Sequence, residues 1–206
     1  MKAIMVVIDY FIKGGIVMWP LLVCSIVSVA IAIERFVFFN KADSGEKFRK
    51  DFCHYIEEDD WLNAKRLADK TKGEAAKLAT IVMARHDRFT RLESFVETRA
   101  ERAINHFEDY LSYLGVITSL APILGLLGTI TGMMSSFNAL NIRAESPLAV
   151  TAGVAEALIT TVFGLVISIS TICFHTYFMH RLDRVTLDIE EIGSTLLEAI
   201  SKNLDV

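Results

Sequence analysis

From residue 111 to residue 142 the chain carries no charged side chain, and its polar positions there are not scattered. At 100° per residue, Thr118, Pro122, Gly125, Thr129, Gly132 and Ser136 fall in one narrow stripe. Leu120, Ile123, Leu124, Leu127, Ile130 and Met134 occupy the opposite side. A helix surrounded by acyl chains alone needs no such stripe, because lipid accepts apolar bulk on every face. Small residues let a second backbone approach, and hydroxyls want a polar partner or water. The pattern predicts a helix that lines something.

Two further apolar runs accompany it, and the fold class that follows is an all-α polytopic membrane protein with three transmembrane helices. The spans are 14–33, 113–140 and 148–178, each long enough at ~1.5 Å per residue for a ~30 Å hydrocarbon core. Residues 1–13 read as an interfacial helix with isolated charges. Asp9 and Lys13, with no small-residue cleavage site before Glu34, favour a retained first span over a cleaved leader. Residues 141–147 form a tight turn. Lys and Arg cluster after the first span, before the second (Arg99, Arg102) and after the third (Arg181, Arg184). The positive-inside rule therefore puts 34–112 and 179–206 in the cytoplasm and the N-terminus and the 141–147 turn outside.

The cytoplasmic segment has helix signals of its own. Asp59 and Asp60 can cap a helix over 61–71 that Gly73 would stop, and 74–85 is a second. Thr90 and Glu93 form a capping box. No proline follows until Pro122, so one long helix is expected to run from the box straight into the second span. Leu182, Val185, Ile189, Ile192 and Leu196 recur at helical spacing, so the 179–206 tail should prolong the third span. Two of the three spans thus extend far into the cytoplasm.

Composition narrows the function. Of 206 residues, 52% are hydrophobic and the formal charge is only −4, which argues against nucleic acid as a partner. Cys24, Cys53 and Cys173 share no metal-ligand spacing, and no metal or cofactor is implied. No phosphate-binding loop, His-Glu-x-x-His or nucleophile elbow is present, so an enzyme is not expected.

Depth brings the polar groups together. Thr129 lies ~16 Å below the 141–147 turn and Thr161 ~20 Å below it, near the middle of the bilayer. Thr161, Ser168 and His175 then recur every seven residues toward the cytoplasm. Thr129, Thr161, Ser168, Ser136, Thr118 and Thr160 are the candidate lining of an ion pathway. The plainer alternative is that such hydroxyls bond back to helix carbonyls or hold helices together. Gly125, Gly128, Gly132, Gly164 and Pro122 are candidates for close helix packing. Glu156 is an acid well inside a span, about 140° from Thr161 on an ideal helix, and reads as a gating or structural group. Proton transfer at the membrane centre needs a group that titrates near neutral pH, which Thr and Ser do not. A carboxylate from another polypeptide is therefore expected.

Residues 121–137, Ala-Pro-Ile-Leu-Gly-Leu-Leu-Gly-Thr-Ile-Thr-Gly-Met-Met-Ser-Ser-Phe, resemble the second-span signature of the ExbB/TolQ/MotA proton-channel family. Residues 155–165, Ala-Glu-Ala-Leu-Ile-Thr-Thr-Val-Phe-Gly-Leu, resemble its third-span signature. Glu34-Arg35 and Asp60-Trp61 fit the same pattern; Ile169-Ser170-Thr171 departs from it, standing where members carry Ile-Pro. The resemblance implies an ExbB-like large subunit of a proton-motive-force-driven motor in the bacterial inner membrane. It implies a homopentamer around two copies of a single-span ExbD/TolR-like subunit, which supplies the missing aspartate, and transfer of work to TonB or TolA. The family's polar threonines fall on Thr129 and Thr161, and its third-span glutamate on Glu156. A TolQ-like subunit of the Tol-Pal system and a non-conducting oligomeric scaffold are the alternatives.

Overall fold

The computed structural model describes residues 11, 14–84, 89–143 and 147–204. Seven helices are described: α1 (Met18–Ala42), α2 (Glu46–Glu57), α3 (Trp61–Lys70), α4 (Glu74–Met83), α5 (Phe89–Glu108), α6 (Leu111–Arg143) and α7 (Pro147–Leu204). Among the described residues there is no strand. The interfacial helix assigned to 1–13 falls almost wholly outside them, as does the middle of the 141–147 turn. Among the described residues, three helices are long and apolar enough to cross a membrane. The chain divides into two compact units, one of residues 1–33 and 110–176, the other of 34–109 and 177–206.

In the first unit the start of α1 packs on the α6–α7 pair. Met18, Leu21 and Ala121 form its buried cluster, with Phe11, Leu124, Phe163 and Ile167 against it. The outward side chains are large and apolar: Ile26, Ile123, Met134, Val162 and Ile169 are all exposed. Such a surface suits acyl chains and would be unstable in water.

The second unit is organised as a water-soluble domain would be. On α7, Leu182, Val185, Ile189, Ile192 and Leu196 are all buried, as their three-four spacing requires. Phe48 and Phe52 of α2 and Phe39, Phe107 and Phe178 join them in the core. The Phe39 ring stacks on Phe178 at 5.7 Å between centroids. Arg49 pairs with Asp188 at 2.8 Å and with Glu191, fastening α2 to α7. Arg181 reaches Asp43 at 3.2 Å.

Three local expectations need correcting. The helix leading into the second span is not continuous: α5 ends at Glu108 and α6 starts at Leu111, with Tyr110 at φ 64°. A left-handed residue cannot continue a right-handed ladder, so the turn is broken there without proline or glycine. Gly73 does not stop α3, which ends at Lys70 with Thr71 as its extended C-cap; it is the N-cap of α4, at φ 131°. Ser44 supplies the missing cap, its Oγ accepting the Ala76 N–H at 3.2 Å. Thr90 is not an N-cap, because α5 has already begun at Phe89. Asp60 does cap α3, accepting the Asn63 N–H at 3.1 Å, and α7 runs without a break from the third span into the tail.

Candidate functional site: a hydroxyl seam between α6 and α7

The small stripe of α6 is covered by α7 of the same chain. A Cβ on Gly125 would lie 3.0 Å from the Thr161 Cα. One on Gly164 would lie 2.6 Å from the Ala121 carbonyl oxygen, and one on Gly132 2.6 Å from the Ala157 Cβ. Gly128 meets the Thr160 side chain. These four glycines bring the two backbones into direct contact, the small-residue packing that lets membrane helices associate without a hydrophobic driving force.

Each candidate hydroxyl is committed to a backbone carbonyl. Four bond within their own helix: Thr118 to Leu114 at 3.0 Å, Thr129 to Leu126 at 2.7 Å, Ser136 to Gly132 at 2.9 Å and Thr160 to Ala157 at 2.6 Å. Thr129 and Thr160 are buried. Two cross between helices: Thr161 Oγ1 donates to the Gly125 carbonyl at 2.9 Å, and Ser168 Oγ to the Thr118 carbonyl at 2.7 Å. These bonds, seven residues apart on α7, set the antiparallel register. His175, a further seven along, lies opposite Gly115, where an added Cβ would be 3.5 Å from Nε2. Thr161 thus sits one turn from Thr129 on the same seam, because Gly125 precedes Thr129 by one helical turn.

The backbone of Glu156 belongs to α7; its side chain lies outside the described residues. Ser170 donates to the Val166 carbonyl at 2.9 Å, and α7 passes through it uninterrupted. Among the described residues no group of His, Cys, Asp and Glu is placed to hold a metal ion.

One residue that the sequence marked only as the end of a span has a larger role. Arg35 is 1% exposed. Its guanidinium donates to both Glu34 carboxylate oxygens, at 2.6 and 2.9 Å, and to the His106 and Phe107 carbonyls, at 3.1 and 3.4 Å. It also lies over the Phe38 ring, 4.6 Å from the centroid. The carbonyls are among those left without a helical donor where α5 ends, so Arg35 caps the interrupted helix from outside it. A lone arginine closing an apolar run carries no signal of that partner.

A helical chain with three membrane-length helices and a polar seam between two of them belongs to the class of polytopic membrane proteins. The chain is a member of the MotA/TolQ/ExbB proton channel family, whose profile matches residues 67–191. It is 34% identical over 170 residues to the putative biopolymer transport protein ExbB-like 1 of Synechocystis sp., covering 79% of this chain and 66% of that one. It is 31% identical to the biopolymer transport protein ExbB of Salmonella typhimurium, over 52% of this chain and 46% of that protein. With the Tol-Pal system protein TolQ of Haemophilus influenzae it shares 33% identity over 42% of this chain and 39% of that protein. The chain spans less than two thirds of the length of each of these three relatives.

Proposed function

We propose that the chain is the ExbB-like large subunit of a proton-driven inner-membrane motor. In this reading five copies surround two copies of a single-span ExbD/TolR-like subunit, whose membrane aspartate carries the proton. The N-terminus faces the periplasm and the C-terminus the cytoplasm, and work passes to a TonB-like protein for outer-membrane transport. The observation that carries the reading is the bridge from Thr161 to the Gly125 carbonyl, one helical turn from the buried Thr129, at positions that helical rise sets near the middle of both spans. Hydroxyls there can exchange bonds with a visiting carboxylate or water while α6 and α7 stay packed through their glycines. Ser168, Ser136, Thr118 and Thr160 extend the polar track, and Glu156 is its gating or structural acid. No cofactor is needed, and the chain performs no chemistry of its own.

Two other readings have support. A TolQ-like role in the Tol-Pal system is favoured by the Haemophilus relative. A non-conducting scaffold is favoured by the commitment of each candidate hydroxyl to a backbone carbonyl. Inner-membrane vesicles from cells making the chain with a single-span partner bearing one membrane Asp would separate conduction from scaffolding. Thr161→Val and Thr129→Val should abolish proton uptake, read with a pH-sensitive dye, while the native mass of the extracted complex stays that of a pentamer with its partner. Uptake that survives both changes would remove the motor reading.

A further inference from the structure

We infer that the two hydroxyls crossing from α7 to α6 have different jobs: Ser168 is a fixed substitute donor required by Pro122, whereas Thr161 holds a bond it can release. The assignment follows from counting backbone donors. In an α-helix the carbonyl of residue 118 accepts from the N–H of residue 122. Position 122 is proline and lies inside α6, so that N–H does not exist, and the pyrrolidine ring pushes the same carbonyl outward. The Thr118 carbonyl is the acceptor of the Ser168 hydroxyl at 2.7 Å. A serine on the neighbouring helix therefore supplies the hydrogen bond that the proline removed, as proline inside a membrane helix requires when no water is at hand.

Thr161 makes a bond of the same appearance with a different consequence. Its acceptor, the Gly125 carbonyl, already has a helical donor in the Thr129 N–H, since residues 125 and 129 both lie inside α6. Carbonyl oxygens have two lone pairs, and losing the second partner leaves the first in place. Ser168 cannot turn away without leaving the Thr118 carbonyl without either donor. Thr161 can turn toward water or a carboxylate at the expense of one redundant bond. The conducting reading proposed above enters only through Thr161; the Ser168–Pro122 coupling stands without it.

The test is a thermal-unfolding cycle on the full chain in phospholipid vesicles. Ser168→Ala should lower the melting temperature by on the order of 5 °C, and Ser168→Thr, which keeps the hydroxyl, should lower it far less. In a Pro122→Ala background, where residue 122 again donates to Thr118, Ser168→Ala should cost almost nothing further. A loss for Ser168→Ala that is equally large with alanine at 122 would overturn the coupling, because a role in packing alone is indifferent to residue 122. Thr161→Val should shift the melting temperature by less than half as much as Ser168→Ala. An equal shift would overturn the division of labour. Proton uptake by vesicles containing the single-span partner is read separately: its survival in Thr161→Val counts against the motor and leaves the Pro122 cycle untouched.

Discussion

Arg35 shows how far one side chain can act from its own helix. Its four donor contacts join neighbouring Glu34 to carbonyls at the end of α5, a fork that only the planar guanidinium supplies. Arg35→Lys keeps the charge but loses the fork, and should destabilise the protein by about 2 kcal/mol; a calorimetric scan checks this. Asp188 shows the opposite balance. Burial pushes its carboxyl above the ordinary 3.8, with the attraction of Arg49 opposing the rise. A folded state that holds this proton more tightly than the unfolded chain is favoured most at low pH. That advantage is lost as pH climbs through the raised value. Ionising this carboxyl is thus harder in the folded protein than in the unfolded chain, even with Arg49 beside it. The effect of Asp188→Asn on the melting temperature should therefore be more favourable at pH 7.5 than at pH 4. A pH-independent difference would contradict this account.

At the scale of elements, the α6–α7 pair is held by backbone proximity, and its glycines are not interchangeable. Alanine at 164 would bring a Cβ to 2.6 Å from one backbone oxygen and 3.0 Å from the Gly125 Cα, neither of which can step aside alone. Overpacking costs ~1–3 kcal/mol, more than the ~1 kcal/mol that alanine gains over glycine in helix propensity. At 115 the nearest neighbour is the His175 ring at 3.5 Å, an ordinary contact. Gly164→Ala should thus lower the melting temperature while Gly115→Ala raises or preserves it, and paired denaturation curves would show the opposite signs. The helices themselves were legible from periodicity. The heptad of Leu182 to Leu196 marked the buried face of α7, and Asp60 marked the start of α3. The interruption at Tyr110 was not, because tyrosine has no preference for left-handed geometry and its neighbours carry no glycine or proline signal.

At the scale of the molecule, the two compact units solve opposite solvent problems with one chain. The unit of residues 1–33 and 110–176 turns Ile26, Ile123 and Ile169 outward and keeps Gly125, Gly128, Thr129, Thr160 and Gly164 inside. The other buries Phe39, Phe52, Phe107, Ile189 and Leu196 and carries Lys50, Lys77 and Lys202 on its surface. Each surface suits a different solvent, since lipid offers no hydrogen bonds and water penalises apolar area. The arrangement also leaves the apolar faces of α6 and α7 open to lipid or to further copies. The native mass in the uptake experiment distinguishes those two fates.

By itself, the sequence determined three helices of membrane-spanning length, the helical segment between the first two and the small polar stripe. Those properties follow from hydropathy, helical period and side-chain chemistry, which are local. Tertiary structure alone decided what covers the stripe, which carbonyl each hydroxyl holds, and that Arg35 ends at the last turn of α5. Each of these depends on the register between segments far apart in the chain, and register is set by the closest approach of two backbones.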